Sequence, residues 1–111
     1  MNWNILLFES KRGDKPVEEF IKSQEPPTIA KIVHTLDLLQ RYGSFLGMPH
    51  SKKLTSNLYE LRIKGKPEIR ILYTFIEKNI YLLHAFKKQA QKTPKKEIDT
   101  ALKRLKVLTK I

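Results

Sequence analysis

Between Leu58 and Lys88 the chain reads LYELRIKGKPEIRILYTFIEKNIYLLHAFKK. Three apolar runs are separated by two turn signals, Gly65-Lys66-Pro67 and Lys78-Asn79. Alternation of period two sends successive side chains to opposite faces of a strand. The stretch is therefore predicted to fold as a three-stranded antiparallel meander. The rest of the chain must cover one face of that meander or extend the other.

Sidedness predicts the register. Leu58, Glu60, Arg62 and Lys64 face one way; Tyr59, Leu61 and Ile63 face the other. In the second run Ile69, Ile71, Tyr73 and Phe75 share one face, and Glu68, Arg70, Leu72 and Thr74 the other. A slip of one residue flips every side chain. A two-residue first loop would pair Arg62 with Ile69 and mix the faces. A three-residue loop pairs Lys64 with Glu68, Arg62 with Arg70 and Ile63 with Ile69, and is expected. A two-residue hairpin at Lys78-Asn79 then pairs Glu77 with Ile80, Phe75 with Leu82, Tyr73 with His84 and Ile71 with Phe86. It also sets Arg70 beside Lys87. Arg62, Arg70 and Lys87 are thus expected in one cross-strand row, with Lys88 brought in by a bulge or strand end. His84 is expected on the apolar face, beside Tyr73, as a core histidine.

Like charges directly opposite on a sheet are destabilising. Either Glu60 and Glu68 neutralise part of the row, or the row holds an anion such as a phosphate. Arginine suits the second role because its planar fork binds phosphate oxygens in pairs.

The flanking segments read more simply. Residues 3–8, WNILLF, are predicted to form an N-terminal strand. Asp14 as cap, Pro16 in the first turn and Val17, Phe20 and Ile21 at i, i+3 and i+4 predict a short helix. Pro26 and Pro27 open a second helix, whose stripe is Ile29, Ile32, Val33, Leu36 and Leu39 and whose stop is Gly43. The two should form a helical hairpin. His34 falls just off the stripe and reads as a surface histidine. Ser44 to Ser56 reads as a loop whose tip, with His50, Lys52 and Lys53, lies near the basic face. Thr93 and Pro94 mark the start of a C-terminal helix with the stripe Ile98, Ala101, Leu102, Leu105 and Leu108. The architecture expected is α+β: strand, helical hairpin, meander and C-terminal helix, in one domain spanning residues 1–111.

Charge is distributed unevenly. Residues 1–43 hold six basic and six acidic side chains; residues 44–111 hold the other sixteen and five, which is the whole formal charge of +11. Such a field favours a polyanionic partner, with nucleic acid ahead of an acidic protein. There is no cysteine, hence no thiolate nucleophile or metal site. The chain carries no Gly-rich phosphate loop, carboxylate cluster for a metal or nucleophile elbow. No apolar run reaches membrane length, and a cytoplasmic protein without metal or cofactor is expected.

Leu58-Tyr59-Glu60-Leu61-Arg62, Arg70-Ile71-Leu72-Tyr73 and Leu83-His84-Ala85-Phe86-Lys87-Lys88, followed by Gln91-Lys92-Thr93-Pro94, resemble the RelE/ParE superfamily of bacterial toxins, in its HigB-like, phage-derived branch. The resemblance implies a RelE-like fold and a ribosome-dependent mRNA endonuclease. In such toxins the 2′-OH attacks the adjacent phosphorus without metal, and basic side chains stabilise the transition state. It also implies a cognate helix-turn-helix antitoxin, and a toxin that is monomeric alone and heterotetrameric with its antitoxin. Arg62, Arg70 and Lys88, or Lys87 in place of Lys88, match basic positions of the family, and Arg62, Arg70, Lys88 and Glu60 form the expected catalytic set. Lys87, Lys64, Lys92, Lys95, Lys53 and His50 are the expected RNA-binding set. Glu60 stands where well-known relatives carry lysine, and no tyrosine follows Lys88 in the last helix. Glu60 is thus a candidate base or arginine orienter, His50 a candidate base if its loop folds over the row, and His84 a third. Two other functions share these features: a ParE-type poison of DNA gyrase, and a phage-derived protein that grips nucleic acid without cutting it.

Overall fold

The computed structural model describes residues 2–109. In chain order the elements are β1 (Asn4–Leu7), α1 (Pro16–Lys22), α2 (Pro26–Tyr42), a 3-10 turn (Gly43–Phe45), β2 (Ser51–Thr55), β3 (Leu58–Ile63), β4 (Ile69–Ile76), β5 (Asn79–Lys87) and α3 (Lys95–Thr109). The strands form one sheet in the order β1-β5-β4-β3-β2. β1 joins β5 in parallel and the other neighbours are antiparallel. The architecture is the expected α+β one. Among the described residues no helix is long and apolar enough to cross a membrane.

The sheet is covered on both faces. On one, Ile63, Ile69, Ile71, Tyr73, Ile80 and Leu82 pack with Val17 of α1 and Ile32 and Leu39 of α2. On the other, Leu58, Leu72, Leu83 and Phe86 pack with Ala101 and Leu105 of α3 and with Phe8. Burial of one such aliphatic side chain contributes roughly 1.5–3 kcal/mol, so the two patches hold the helices independently. Tyr73 is buried, and its hydroxyl meets that of Ser51 at 2.5 Å. Burial pushes the Tyr73 pKa up to about 12, against the lowering effect of that hydrogen bond.

Several expectations change. Residues 51–55 are a strand rather than loop: Ser51 pairs with Leu61 and Lys52 with Glu60. Asp14 does not cap α1; its backbone N–H donates to Ser10 Oγ and its carboxylate meets Arg12. Gly43 does end α2, with φ of 50°, and it lies under Trp3: a Cβ there would fall 2.0 Å from the Trp3 indole nitrogen.

The β3–β4 register is as expected, with Arg62 opposite Arg70 and Ile63 opposite Ile69. The β4–β5 register is not. The turn falls on Glu77 and Lys78, with Glu77 at positive φ, so Ile76 pairs with Asn79, Phe75 with Ile80 and Tyr73 with Leu82. A bulge then inserts Leu83, after which Leu72 pairs with His84, Arg70 with Phe86 and Ile69 with Lys87. One extra residue reverses the sides. His84 therefore leaves the expected core position beside Tyr73 and faces α3. Lys87 sits opposite Ile69, off the Arg62–Arg70 row; Phe86 takes the place opposite Arg70, and Lys88 comes onto that face one position further along, beside Glu68.

Candidate functional site

On the α3 side of the sheet five charged side chains run in alternation: Arg62, Glu60, Arg70, Glu68 and Lys88. Arg62 Nε donates to Glu60 Oε1 at 2.9 Å, and Arg70 Nη1 reaches the same oxygen at 3.3 Å. Arg70 Nε and Nη2 each lie 3.0 Å from Glu68 Oε2. Lys88 Nζ lies 3.8 Å from Glu68 Oε1, and the Lys88 backbone N–H donates to the Glu68 carbonyl. Strand pleating supplies the alignment, because Glu60, Arg62 and Arg70 sit at same-face positions of adjacent strands and the β5 bulge delivers Lys88.

The five differ in accessibility. Glu60 is fully buried and Arg70 is 3% exposed, while Arg62 retains 20% and Lys88 26%. Burying charge is costly unless each partner is satisfied. Here Thr93 Oγ1 donates to Glu60 Oε2, and Arg70 Nη1 also donates to the Gln91 carbonyl. Among the described residues no buried side-chain polar atom lacks a partner. Both oxygens of Glu60 are engaged and neither is open to solvent. Its geometry is that of an arginine orienter, not of a base that exchanges protons with a ligand.

This ion chain meets solvent at both ends, at Arg62 on one and at Glu68 and Lys88 on the other. Arg62 lines a cleft of about 220 Å³ with Lys52, Lys53, Gln91, Lys92 and Thr93, and no carboxylate contributes to the lining. Arg62 also borders a second cleft, of about 390 Å³, on the α2 side, with Lys31, His34, Pro49, His50 and Lys64. That one is free of carboxylates too. The two clefts flank β3 at one end of the sheet. The His50 carbonyl accepts the Arg62 backbone N–H at 2.8 Å, which ties the loop before β2 to the site.

The other expected residues are placed as follows. Lys53 lies at the edge, its ammonium 5.9 Å from the Tyr59 ring centre. Lys95 is in the first turn of α3, paired with Asp99 at 3.0 Å, away from both clefts. Lys87 is exposed at the end of β5. Thr93 is the residue that reading by pattern placed wrongly. Thr-Pro before an apolar stripe suggests an N-cap, but its hydroxyl is turned to Glu60. The signal for this was Glu60 itself, a carboxylate on a sheet face that would need a second donor once buried.

His84 belongs to a separate cluster under α3. One ring nitrogen, Nε2, is 2.8 Å from Glu97 Oε1, and Nδ1 is 3.3 Å from Arg104 Nη1. Because guanidinium only donates, Nδ1 accepts and Nε2 carries the proton given to Glu97. Burial lowers the His84 pKa, outweighing the hydrogen bond to Glu97, and Arg104 lowers it further. Arg104 also donates to the Leu83 carbonyl, so the bulge is held by α3.

The family described as phage-derived protein Gp49-like matches residues 19–106. No curated protein matches the chain. Among solved structures the chain is similar to the YoeB dimer from Staphylococcus aureus, at 22% identity over 81% of this chain and 100% of that one, with a TM-score of 0.55. It is also similar to a chain of the heterotetrameric YoeB-YefM toxin-antitoxin complex from the same organism, at 22% identity and the same coverage, with a TM-score of 0.53. At that identity the likeness concerns the fold.

Proposed function

This chain belongs to the phage-derived Gp49-like family, and we propose that it is the toxin of a type II toxin–antitoxin pair, a ribosome-dependent endonuclease that cuts mRNA. The observation that carries the reading is Arg62, fixed through Nε by a buried carboxylate and lining a cleft without acidic residues. Such a group binds phosphate strongly because it is oriented before the ligand arrives and no neighbouring carboxylate in the cleft competes for it.

In the proposed reaction the 2′-oxygen bonds to phosphorus and its proton leaves to solvent. The P–O5′ bond breaks, the 5′-oxygen takes up a proton, and a 2′,3′-cyclic phosphate remains. Negative charge grows on the phosphoryl oxygens in the transition state. Arg62 meets it directly, with Lys52, Lys53 and Lys92 around the cleft and Lys88 at the far end of the ion chain. Arg70 and Glu60 are positioning residues in this scheme. Thr93 keeps Glu60 facing the arginines. No metal takes part in this scheme.

The relative in the YoeB-YefM complex is paired with an antitoxin, and the same arrangement is proposed here. A helix-turn-helix antitoxin would lay an acidic segment over the basic clefts, giving a heterotetramer from a toxin that is monomeric alone. The proposed setting is the ribosome in the cytoplasm.

Primer extension on mRNA, with and without ribosomes, tests the proposal. Cleavage is expected only with ribosomes, and Arg62→Ala should lower it by about 10²–10³ while circular dichroism is unchanged. Full cleavage by a folded Arg62→Ala protein would overturn the assignment. Continued translation with DNA damage on induction would favour a gyrase poison instead.

A further inference from the structure

We propose that the α2-side cleft is a subsite for one nucleotide of the RNA strand, next to the nucleotide whose phosphate meets Arg62. The inference rests on the endonuclease reading, and concerns how the strand is seated rather than how it is cut. Three observations lead to it.

The two clefts share Arg62 as a common wall. A strand whose phosphate lies on Arg62 can therefore run from one cleft into the other. The second cleft, at about 390 Å³, falls within the size range of small-ligand sites. Its lining also sorts by chemistry. Pro49 and Ile63 offer apolar surface, and the imidazoles of His34 and His50 offer flat π surfaces of the kind on which RNA bases stack. Lys31 and Lys64 stand with Arg62 as cations for the phosphates on either side. Lys31 reaches across from α2 to the β3–β4 turn, close enough that a Cβ at Gly65 would lie 3.1 Å from its ammonium. It thus borders the cleft beside the β3–β4 turn.

The pattern fits a single strand better than a duplex. Flat faces inside a cleft can receive a splayed base, whereas a duplex hides its base faces in the stack. The subsite further assigns His34 and His50 a shared role in holding one base.

Nuclear magnetic resonance of the three histidine side chains tests the proposal, using a pentaribonucleotide with one 2′-deoxy position so that the strand cannot be cut there. The His34 and His50 imidazole signals should shift on titration, and that of His84, held between Glu97 and Arg104, should not. Ala30→Trp places a ring in the cleft from an exposed helical position. It should abolish both shifts and weaken oligonucleotide binding about tenfold or more, the order of one lost stacking contact. A backbone amide spectrum of the variant confirms its fold. Shifts confined to Lys92, Thr93 and Leu54 would overturn the subsite and leave the endonuclease reading standing. No shift anywhere at millimolar oligonucleotide would overturn it as well. Shifts at both histidines in a protein that never cleaves on ribosomes would uphold the nucleotide site and sink the endonuclease.

Discussion

The two faces of the sheet are built on opposite terms. Under α1 and α2 lies an aliphatic and aromatic layer in which the buried hydroxyls are satisfied, those of Tyr73 and Ser51 by each other and that of Thr35 by the Lys31 carbonyl. Under α3 the layer is apolar for half its extent and then gives way to Glu60, Arg70, Glu68 and their partners. The first face can gain from every residue it buries. The second surrenders part of its apolar area to ions whose desolvation roughly offsets their attraction. That is a poor way to stabilise a sheet and a good way to hold an arginine still at its edge. The apolar layer and the ion chain that orients Arg62 are thus separated by the thickness of one sheet.

Substitutions on each face can break that separation. Glu60→Ala removes the common partner of Arg62 and Arg70 and leaves Arg70 buried with less compensation. It should destabilise the protein by about 3–5 kcal/mol, measured by urea unfolding, and it should cost cleavage in the same step. A loss below about 1 kcal/mol would mean that Arg70 finds water, and the two faces would then differ less than described. Ile71→Val, on the opposite face, should cost about 0.5–1.5 kcal/mol and leave ribosome-dependent cleavage per folded molecule unchanged. Altered cleavage there would show that the faces communicate.

The smallest expected effect concerns pH. Burial holds the His84 pKa below its ordinary 6.5. The unfolded chain therefore takes up a proton first as pH falls. The stability from neutral His84 is whole above about pH 6.5 and is lost as pH falls through the lower folded value. Thermal melts at pH 7.5 and 5.5 should show a larger drop for the parent protein than for His84→Gln. Equal drops would place the acid sensitivity elsewhere.

How much of this was legible in the sequence depended on how strongly each residue's side was constrained. The β3–β4 register was readable because a one-residue slip would have set Ile69 beside Arg62 and mixed the apolar and charged faces. The end of β5 was not readable. In Tyr81-Leu82-Leu83-His84 the two leucines are both apolar, and each has a core to enter, Leu82 on one face and Leu83 on the other. Alternation cannot detect a bulge between such neighbours. β2 was hidden because Ser-Lys-Lys-Leu-Thr carries one aliphatic residue in five positions, too few for a period. The extent of the α3-side patch was hidden by the same bulge, since Phe86 joins it only after the sides reverse. Of the site, Arg62, Arg70, Glu60 and Lys88 were named from the chain, whereas Thr93 was assigned to a helix cap and Lys87 to the wrong face. Pattern locates residues along an element; it does not say where a short hydroxyl side chain beyond the strand will donate.

The extra residue at Leu83 acts on β5 as an insertion acts on a reading frame. Every position before it is decoded on one parity and every position after it on the other. One strand can thereby serve two clients in turn, first the apolar layer and then the ionic one, without leaving the sheet. It follows that the spacing between Leu82 and Lys88 decides which face the lysine joins. A deletion of one residue anywhere between them would preserve the composition of the site's strand almost intact and still deliver its lysine to the wrong side of the molecule.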